Sequence, residues 1–206
     1  MKLNVVSHPL AQAALGRMRT ASASPAVFRQ AMHEVSVWLF AEASRSLETR
    51  EIDVATPLAR TVAVQIARPV VLAPILRAGL GMVDALLPLV PEAQVAHIGI
   101  YRDEETATPR AYYAKFPPRI REAEVFLLDP MLATGQSAVE AARQIREAGV
   151  VRLSLLTVIS CPPGVETFRA AHPDVPVYTA AVDRGLNERA YIVPGLGDAG
   201  DRYFGT

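Results

Sequence analysis

Three short runs of the sequence are almost wholly apolar: VVLAPI at residues 70–75, VFLL at 125–128 and LSLLTVI at 153–159. A strand with one face in water alternates apolar and polar residues, whereas a strand buried on both faces is apolar at nearly every position. Helical patterns follow these runs at residues 80–89, 137–148 and 163–171. Strands that alternate with helices predict an α/β fold, in which helices cover both faces of a parallel sheet.

Further elements extend this pattern. Residues 94–101, 124–128 and 175–182 are predicted strands, and Gly149 is expected to end the helix at 137–148. A long helix is predicted from Pro25 to about residue 47, because Ser24 is a favoured N-cap and proline a favoured first helical residue. Its buried side has these apolar residues available: Val27, Val35, Trp38 and Leu39.

Two segments depart from the alternation. Residues 102–119 are charged and contain prolines, which favours a β-arm or hairpin that projects from the sheet. Residues 183–206 are rich in Gly and Asp and are predicted to be too irregular for a helix. Apolar residues within this tail favour an ordered loop over a disordered end. The whole chain, residues 1–206, is interpreted as a single domain.

Composition excludes several classes of protein. Half of the residues are hydrophobic, so a substantial core is available, and the formal net charge of zero argues against broad nucleic-acid binding. No apolar run approaches the roughly 20 residues that a membrane span needs, and the N-terminus lacks a signal-peptide pattern. A cytoplasmic protein is therefore expected. The lone cysteine, Cys161, is expected to be a buried, inert thiol.

The segment from Asp129 to Ser137 follows a predicted buried strand and leads into a helix. Ligands of open α/β sheets bind in the crevice at such strand ends, and a helix N-terminus attracts phosphate. Thr134, Gly135, Gln136 and Ser137 are therefore candidates for a phosphate cradle, and Asp129 for holding ribose hydroxyls. The pattern also fits an ordinary strand–loop–helix turn. It contains no Walker sequence, which disfavours nucleoside triphosphate hydrolysis.

Two arginines also follow predicted strands at the same edge of the sheet. Arg77 lies in the turn after strand 70–75, and Arg102 leaves strand 94–101. Guanidinium groups pair with phosphates in a bidentate manner, which suits a pyrophosphate, although each arginine alone is equally consistent with a solvated surface charge. In the tail, glycines around Asp198 let the backbone approach a flat ligand closely, so this backbone is a candidate for reading the edge of a base.

Five blocks of the sequence together resemble the uracil phosphoribosyltransferases. The blocks are PILRAGLGMVD (74–84), GIYRDEET (99–106), YYAKFP (112–117), LLDPMLATGQS (127–137) and LNERAYIVPGLGDAGDR (186–202). The resemblance implies a type I phosphoribosyltransferase fold, with a β-arm and a C-terminal hood at 183–206. It also implies transfer of the phosphoribosyl group of phosphoribosyl pyrophosphate (PRPP) to uracil, giving UMP and pyrophosphate in pyrimidine salvage.

The resemblance also assigns roles to residues. Arg77, Arg102, Asp129 and Asp198 are implied to be the catalytic set. The same four residues are implied to bind PRPP, together with Pro130, Met131, Leu132, Ala133, Thr134, Gly135, Gln136 and Ser137. The implied uracil contacts are Ile192, Gly197, Asp198 and Ala199.

Relatives imply further properties. Mg²⁺ is expected to arrive with PRPP rather than on ligands of the protein, GTP activates some relatives, and relatives are dimers or larger. A non-proline cis peptide is implied near Arg77. The family usually has Gly at the position of Gln136, which puts the local geometry of the cradle in question. The Asp129-Pro130 pair is typical of the uracil branch.

The residues leave two other functions open. A bifunctional pyrimidine-operon regulator that binds RNA and keeps residual transferase activity would need a basic face, which the zero net charge makes less favourable. A non-catalytic nucleotide-binding module would use the same crevice. The resemblance favours the enzyme over both, with the small molecules uracil and PRPP as its partners.

Overall fold

The computed structural model describes residues 2–102 and 109–206. The helices over these residues are α1 (Pro9–Arg19), α2 (Pro25–Ala43), α3 (Leu80–Leu86), α4 (Gln136–Glu147), α5 (Pro162–Ala171) and α6 (Ala199–Phe204), with 3₁₀ turns at Ser44–Ser46 and Ile120–Glu122. The strands are β1 (Leu3–Val5), β2 (Thr49–Ala55), β3 (Arg60–Ile66), β4 (Val70–Leu76), β5 (Gln94–Val95), β6 (His97–Arg102), β7 (Pro109–Lys115), β8 (Glu124–Leu128), β9 (Met131–Leu132), β10 (Arg152–Ser160), β11 (Val177–Val182), β12 (Gly185–Leu186) and β13 (Ile192–Val193).

The central sheet has the strand order β1-β11-β10-β8-β4-β6-β7. Every neighbouring pair along this order is parallel except β6 and β7, which are antiparallel. Helices α3, α4 and α5 each connect one parallel strand of the sheet to a later one. Parallel strands need such crossover connections. The predicted α/β class is thus confirmed, with a parallel sheet and flanking helices.

The apolar strands are buried on both faces, which explains why they lack a polar alternation. In β8, Phe126 and Leu128 belong to the core that also contains residues of α2 and α3, whereas Val125 and Leu127 belong to the core beneath α4. These side chains are at most 3% exposed. The two cores hold the sheet between two layers of helix, and they fix the strand ends that carry the polar loops.

Helix α2 begins as predicted. The Ser24 hydroxyl accepts a hydrogen bond from the Val27 N–H (3.4 Å), and Pro25 is the first helical residue. Val35 and Leu39 are fully buried, but Val27 is 41% exposed, so its assignment to the buried side was wrong. Val27 lies in the first turn, where the helix has only begun to pack on its neighbours.

Some predicted boundaries shift. Helix α3 ends at Leu86 rather than residue 89, because the chain turns there toward the next strand. The predicted strand at 94–101 is divided at Ala96, which is buried and separates β5 from β6. Both parts pair with β4, so the order of the sheet is unchanged.

The hairpin expected within residues 102–119 is formed by β6 and β7, with an irregular register between Gly99 and Ile100. Its connection at residues 103–108 lies outside the described residues. A second hairpin, β2–β3, forms a separate two-stranded sheet that the sequence analysis did not predict. Leu58 at its tip is 97% exposed, and Val64 on β3 is 70% exposed. The N-terminal strand β1 and helix α1 were also not predicted.

The tail contains a helix, α6, contrary to the sequence-based prediction. The Asp198 side chain caps it by accepting a hydrogen bond from the Asp201 N–H (2.9 Å), and Gly205 ends it with a φ of 76°. Both signals, Asp as N-cap and Gly after the last turn, are visible in the sequence. The tail is ordered as expected, since Ile192, Leu196 and Tyr203 are buried in the core. Among the described residues, no helix has both the length and the apolar content for a membrane span.

Candidate active site

Three neighbouring strands deliver the predicted polar residues to one edge of the sheet. Strand β4 lies between β6 and β8 and is parallel to both. The three strands end at Leu76, Arg102 and Leu128, so Arg77 and Asp129 follow β4 and β8 at the same edge. Ligands of open α/β sheets bind at such carboxyl ends. The backbone places Arg102 at this edge too.

A cleft of about 430 Å³ opens at this edge. Of the residues predicted to form the site, those lining it are Arg77, Asp129, Met131, Ala133, Thr134, Gly135, Ser137 and Asp198. Pro130, Leu132, Gln136, Ile192, Gly197 and Ala199 are not among the lining residues. The cleft therefore joins the two loops after β4 and β8 with the C-terminal segment, as the sequence-based hypothesis requires.

The N-terminus of α4 provides a cradle for an anion. The first hydrogen bond of the helix runs from the Val139 N–H to the Gly135 carbonyl (2.9 Å), so the N–H groups of residues 136–138 have no acceptor within the helix. Gly135 has a φ of 81° and no side chain to cap these groups. Gln136 is the first helical residue and its side chain is exposed, so the left-handed conformation falls on Gly135 and not on Gln136.

Helix α5 supports the cradle from below. The Cys161 thiol is buried and donates to the Ala133 carbonyl (3.2 Å), and the Cys161 N–H donates to the Leu132 carbonyl (3.3 Å). A Cβ on Gly164 would lie 2.4 Å from both of these carbonyl oxygens, so only glycine allows this approach. The Pro130 carbonyl accepts the N–H groups of Val158 and Ile159 (both 3.0 Å). The carbonyls of Pro130 and Leu132 thus fix the loop to β10 and to the start of α5, and these two residues do not line the cleft.

Asp129 is half-buried at the end of β8. Burial raises the pKa of its carboxyl group to about 7, although the Met131 N–H, 3.4 Å from the carboxylate, acts in the opposite direction. A carboxylate whose pKa lies near neutrality within a cleft is a typical sign of a functional site. In its ionised form it offers only acceptors to ligand hydroxyls, whereas protonation turns one oxygen into a donor and weakens the carboxyl group as an acceptor.

Arg77 lies at the mouth of the cleft and contacts α6. Its Nη2 is 3.3 Å from the Asp201 carboxylate, and its guanidinium lies 5.8 Å from the centre of the Phe204 ring. The Leu76–Arg77 peptide is cis, as the resemblance implied. The guanidinium is largely exposed, and it is available to an anion in the cleft.

The C-terminal segment reaches the cleft through Asp198, whose side chain caps α6. The segment is held to α1 by Asp183, which accepts two hydrogen bonds from Arg19 (2.7 and 2.8 Å) and one from the Gly195 N–H (2.9 Å). Burial opposes ionisation of Asp183, but these donors outweigh it and lower its pKa. A second anchor is the half-buried guanidinium of Arg202, which donates to the Leu196 (2.8 Å) and Thr20 (2.6 Å) carbonyls.

Sequence reasoning missed a third wall of the cleft, formed by Arg189, Ala190 and Tyr191. The Asn187 side chain shapes this loop, because its carbonyl oxygen accepts the N–H groups of Arg189 (3.0 Å) and Tyr191 (2.9 Å). Ala190 adopts a φ of 61° within it. An asparagine that accepts nearby backbone N–H groups is a turn signal, and it was available in the sequence.

Across residues 2–102 and 109–206, no three His, Cys, Asp or Glu side chains are grouped so that they could hold a metal ion. The lining of the cleft combines the carboxylates of Asp129 and Asp198 with the guanidinium groups of Arg77 and Arg189.

Comparisons with known proteins agree with this geometry. The family model described as uracil phosphoribosyltransferase matches residues 5–206. The uracil phosphoribosyltransferase of Streptococcus suis is 48% identical over 206 residues, which cover all of this chain and 99% of that protein. The enzyme of Streptococcus mutans is 47% identical over the same coverage.

Solved structures share the fold of this chain. The AQ2163 protein of Aquifex aeolicus superimposes with a TM-score of 0.94 at 32% identity, over 98% of this chain and 97% of that one. A hypoxanthine-guanine phosphoribosyltransferase of Bacillus anthracis has a TM-score of 0.54 at 11% identity, over 77% of this chain and 80% of that one. This second likeness concerns the fold alone, and it identifies the sheet and helices as those of phosphoribosyltransferases.

Proposed function

The chain belongs to the uracil phosphoribosyltransferase family, and we propose that its cleft is where the phosphoribosyl group of PRPP is transferred to uracil, giving UMP and pyrophosphate. The observation that carries the reaction is the family match over residues 5–206. The enzyme is a pentosyl transferase of pyrimidine salvage. The residues that hold each part of the substrates are inferred from the cleft.

The ribose 5-phosphate half of PRPP is assigned to the loop after β8. The N–H groups at the start of α4, with the hydroxyls of Thr134 and Ser137, suit the 5-phosphate. Asp129 accepts hydrogen bonds from the ribose hydroxyls and fixes the orientation of the ring. Gln136 contributes its backbone N–H, and Met131 and Ala133 line the wall.

The pyrophosphate half is assigned to Arg77 and Arg102. Arg77 follows β4, which neighbours β8, and Arg102 ends β6 on the other side of β4, so the two halves of PRPP span neighbouring strand ends. Arg77 and Arg102 would hold the pyrophosphate, since guanidinium groups suit bidentate contact with phosphate oxygens. The magnesium that phosphoribosyltransferases use with PRPP would supply further neutralisation of charge there.

Uracil is assigned to the C-terminal segment, where the backbone of Ile192 and of residues 197–199, next to the lining residues Tyr191 and Asp198, is the candidate for reading the edge of the base. Asp198, which lines the cleft, lies between base and sugar. Uracil offers an acceptor at O4 and a donor at N3, and cytosine reverses both. A matched N–H and C=O pair would leave buried groups unpaired with cytosine, a mismatch worth about 10⁴-fold in specificity.

In the reaction, the bond from C1′ to the pyrophosphate oxygen breaks and that oxygen keeps the electron pair. Uracil N1 then supplies the pair for the new C1′–N1 bond, and its proton passes to water. The developing positive charge at C1′ requires no covalent partner from the protein. Catalysis therefore rests on fixed positioning and on neutralising the leaving group by Arg77 and Arg102.

The direct test is pyrophosphate release by the purified protein with PRPP and each base. Uracil should support release and cytosine should not, and the Asp129→Asn variant should lose about a hundred-fold in turnover while staying folded. Comparable turnover of cytosine would remove the proposed base-reading backbone. Full activity of Asp129→Asn would remove Asp129 from the mechanism. We also propose that GTP activates the protein, and adding GTP to the same assay at fixed PRPP tests that proposal.

An RNA-binding regulator is not favoured. The chain has no net charge, whereas broad phosphate contact with RNA needs a basic face. A mobility-shift experiment over a salt series with pyrimidine-operon leader RNA should detect no specific complex.

Self-association is proposed from the exposed β2–β3 hairpin. Val62 and Val64 are 57% and 70% exposed on one face of β3, and Leu58 at the tip is almost fully exposed. An apolar surface of this kind on a separate two-stranded sheet is typical of an interface between copies. Analytical ultracentrifugation should therefore show a homodimer or a larger homo-oligomer, and Val64→Asp should shift the population toward monomer.

A further inference from the structure

Two residues of α6 hold Arg77 from different sides. The Asp201 carboxylate is 3.3 Å from Nη2 of Arg77, and the Phe204 ring lies beneath the guanidinium at 5.8 Å. Neither Asp201 nor Phe204 lines the cleft, whereas Arg77 does. The side chains of Asp201 and Phe204 therefore act on the site through the arginine, while the Asp201 backbone N–H, which a substitution leaves in place, donates to Asp198 (2.9 Å).

Helix α6 is itself firmly fixed. Tyr203, between the two contact residues, is buried, and its hydroxyl lies 3.2 Å from Nε2 of His33 on α2. Its carbonyl accepts a hydrogen bond from Arg29 (2.8 Å). The Asp201 carboxylate also accepts from the Thr206 hydroxyl (3.3 Å), which restricts its rotation. The support for Arg77 thus comes from an anchored element and not from a loose end.

The Arg77–Asp201 pair does little for stability, because both side chains are more than half exposed, at 61% and 52%. Its geometry has another consequence. A guanidinium has five N–H donors in a planar fork, and Asp201 accepts a hydrogen bond from Nη2 alone. The remaining donors stay free for two phosphate oxygens while the carboxylate and ring fix the plane of the fork.

We propose that Asp201 and Phe204 are positioning residues for Arg77, which hold its guanidinium ready for the pyrophosphate of PRPP. This inference rests on the proposed role of Arg77. Since the cap of α6 is Asp198, the same short helix carries a residue of the cleft and the support for the pyrophosphate arginine. The base-binding segment and the pyrophosphate loop are thereby coupled through one ion pair and one ring.

Removal of the Asp201 carboxylate should change pyrophosphate binding in opposite directions if Asp201 acts by charge alone or by positioning Arg77, so a binding measurement distinguishes the two. Removing a carboxylate near an anion site strengthens anion binding if the carboxylate acts only by repulsion. If Asp201 positions Arg77, its removal weakens pyrophosphate binding. The weakening should be about five-fold, the upper end for an exposed ion pair.

The experiment measures pyrophosphate and UMP binding calorimetrically for the native chain, Asp201→Ala, Phe204→Leu, Arg77→Gln and the Asp201→Ala/Arg77→Gln double variant. We expect each single variant to weaken pyrophosphate binding and to leave UMP binding unchanged. In the double variant, Asp201→Ala should add nothing to the loss from Arg77→Gln. Glu92→Ala, which removes the same charge away from the cleft, is the matched control and should bind as the native chain does.

The outcomes separate this inference from the proposed function. If Arg77→Gln binds pyrophosphate normally, the assigned role of Arg77 is wrong. If Arg77→Gln weakens binding but Asp201→Ala and Phe204→Leu leave it unchanged or strengthen it, Arg77 keeps its role and the positioning inference is overturned. Losses that add in the double variant, or a parallel loss of UMP binding, also overturn it, because they would show an effect independent of Arg77.

Discussion

At the scale of single residues, Asp129 combines a functional position with an unfavourable environment. Burial raises its pKa to about 7, so the free protein binds a proton there at mildly acidic pH. The ionised carboxylate is the stronger acceptor for the ribose hydroxyls. We expect kcat/KM for PRPP to fall about ten-fold per pH unit below about pH 7, measured at saturating uracil. The Asp129→Asn variant should lack this limb of the profile.

The raised pKa of Asp129 also predicts that the free energy of unfolding depends on pH. The folded-state pKa is raised above the ordinary carboxyl value, so the folded protein binds more protons than the unfolded chain between these two values. The contribution of Asp129 to the free energy of unfolding is therefore lost as pH rises through about 7. At about pH 8, Asp129→Asn should be at least as stable to urea as the native chain. A clear loss of stability there would contradict the burial argument.

Gly164 tests the support beneath the phosphate cradle. In Gly164→Ala, the added Cβ would meet the Leu132 and Ala133 carbonyl oxygens at 2.4 Å, and these backbone atoms move only if the loop moves. We expect a destabilisation of about 1–3 kcal/mol by urea unfolding, together with a higher KM for PRPP.

The chain offers a matched control for this substitution. Gly16 lies within α1, and a Cβ there meets nothing within 4 Å. Gly16→Ala should stabilise the protein by about 0.5–1 kcal/mol because helix propensity improves, with unchanged kinetics. Equal effects of the two alanines would show that α5 does not constrain the cradle.

At the scale of elements, the C-terminal segment depends on its ion pair with α1. Asp183 is buried and receives two hydrogen bonds from Arg19. Arg19→Ala leaves this carboxylate without its cation, which should cost about 3–5 kcal/mol in the free energy of unfolding. Since the donors hold the Asp183 pKa below its usual value, the stabilisation is present at neutral pH and lost on acidification.

The matched test is a pH series of urea unfolding. The difference between the native chain and Arg19→Ala should shrink as pH falls through the folded-state pKa of Asp183. A difference that stays constant with pH would mean that lost packing of the arginine stem, and not its charge, accounts for the effect.

The elements differ in how far the sequence predicts them. Strands β4, β8 and β10 could be predicted because double-sided burial makes them continuously apolar. Helix α6 was missed because its six residues are too few for a helical period to show, although its capping residues, Asp198 and Gly205, are visible in the sequence. The β2–β3 hairpin was missed for a related reason: its strands pack on each other and not on the core, so burial leaves no apolar pattern to read.

The site divides in the same way. Asp129, Thr134 and Ser137 follow a strong strand and open a strong helix, so their place at the sheet edge follows from local pattern. Arg189 and Tyr191 face the cleft only because the Asn187 side chain folds their loop back over it. Such a contact depends on three-dimensional position, which local periodicity does not encode.

At the scale of the whole molecule, we propose that a single cleft at the carboxyl edge of the sheet holds the phosphate, the sugar and the base in that order. The cleft brings together loops separated by more than 100 residues, from Arg77 to Asp198. Two cores on opposite faces of the sheet hold these loops in register. The arrangement explains why the reaction needs no protein nucleophile.

A crystal structure of the protein with UMP tests this claim most directly. We expect the 5-phosphate against the N–H groups of residues 136–138, the ribose hydroxyls on Asp129, and the base edge on the backbone of Ile192 and residues 197–199. Binding of UMP outside the cleft, or with its phosphate beside Arg77 and its base beside Thr134, would contradict the account.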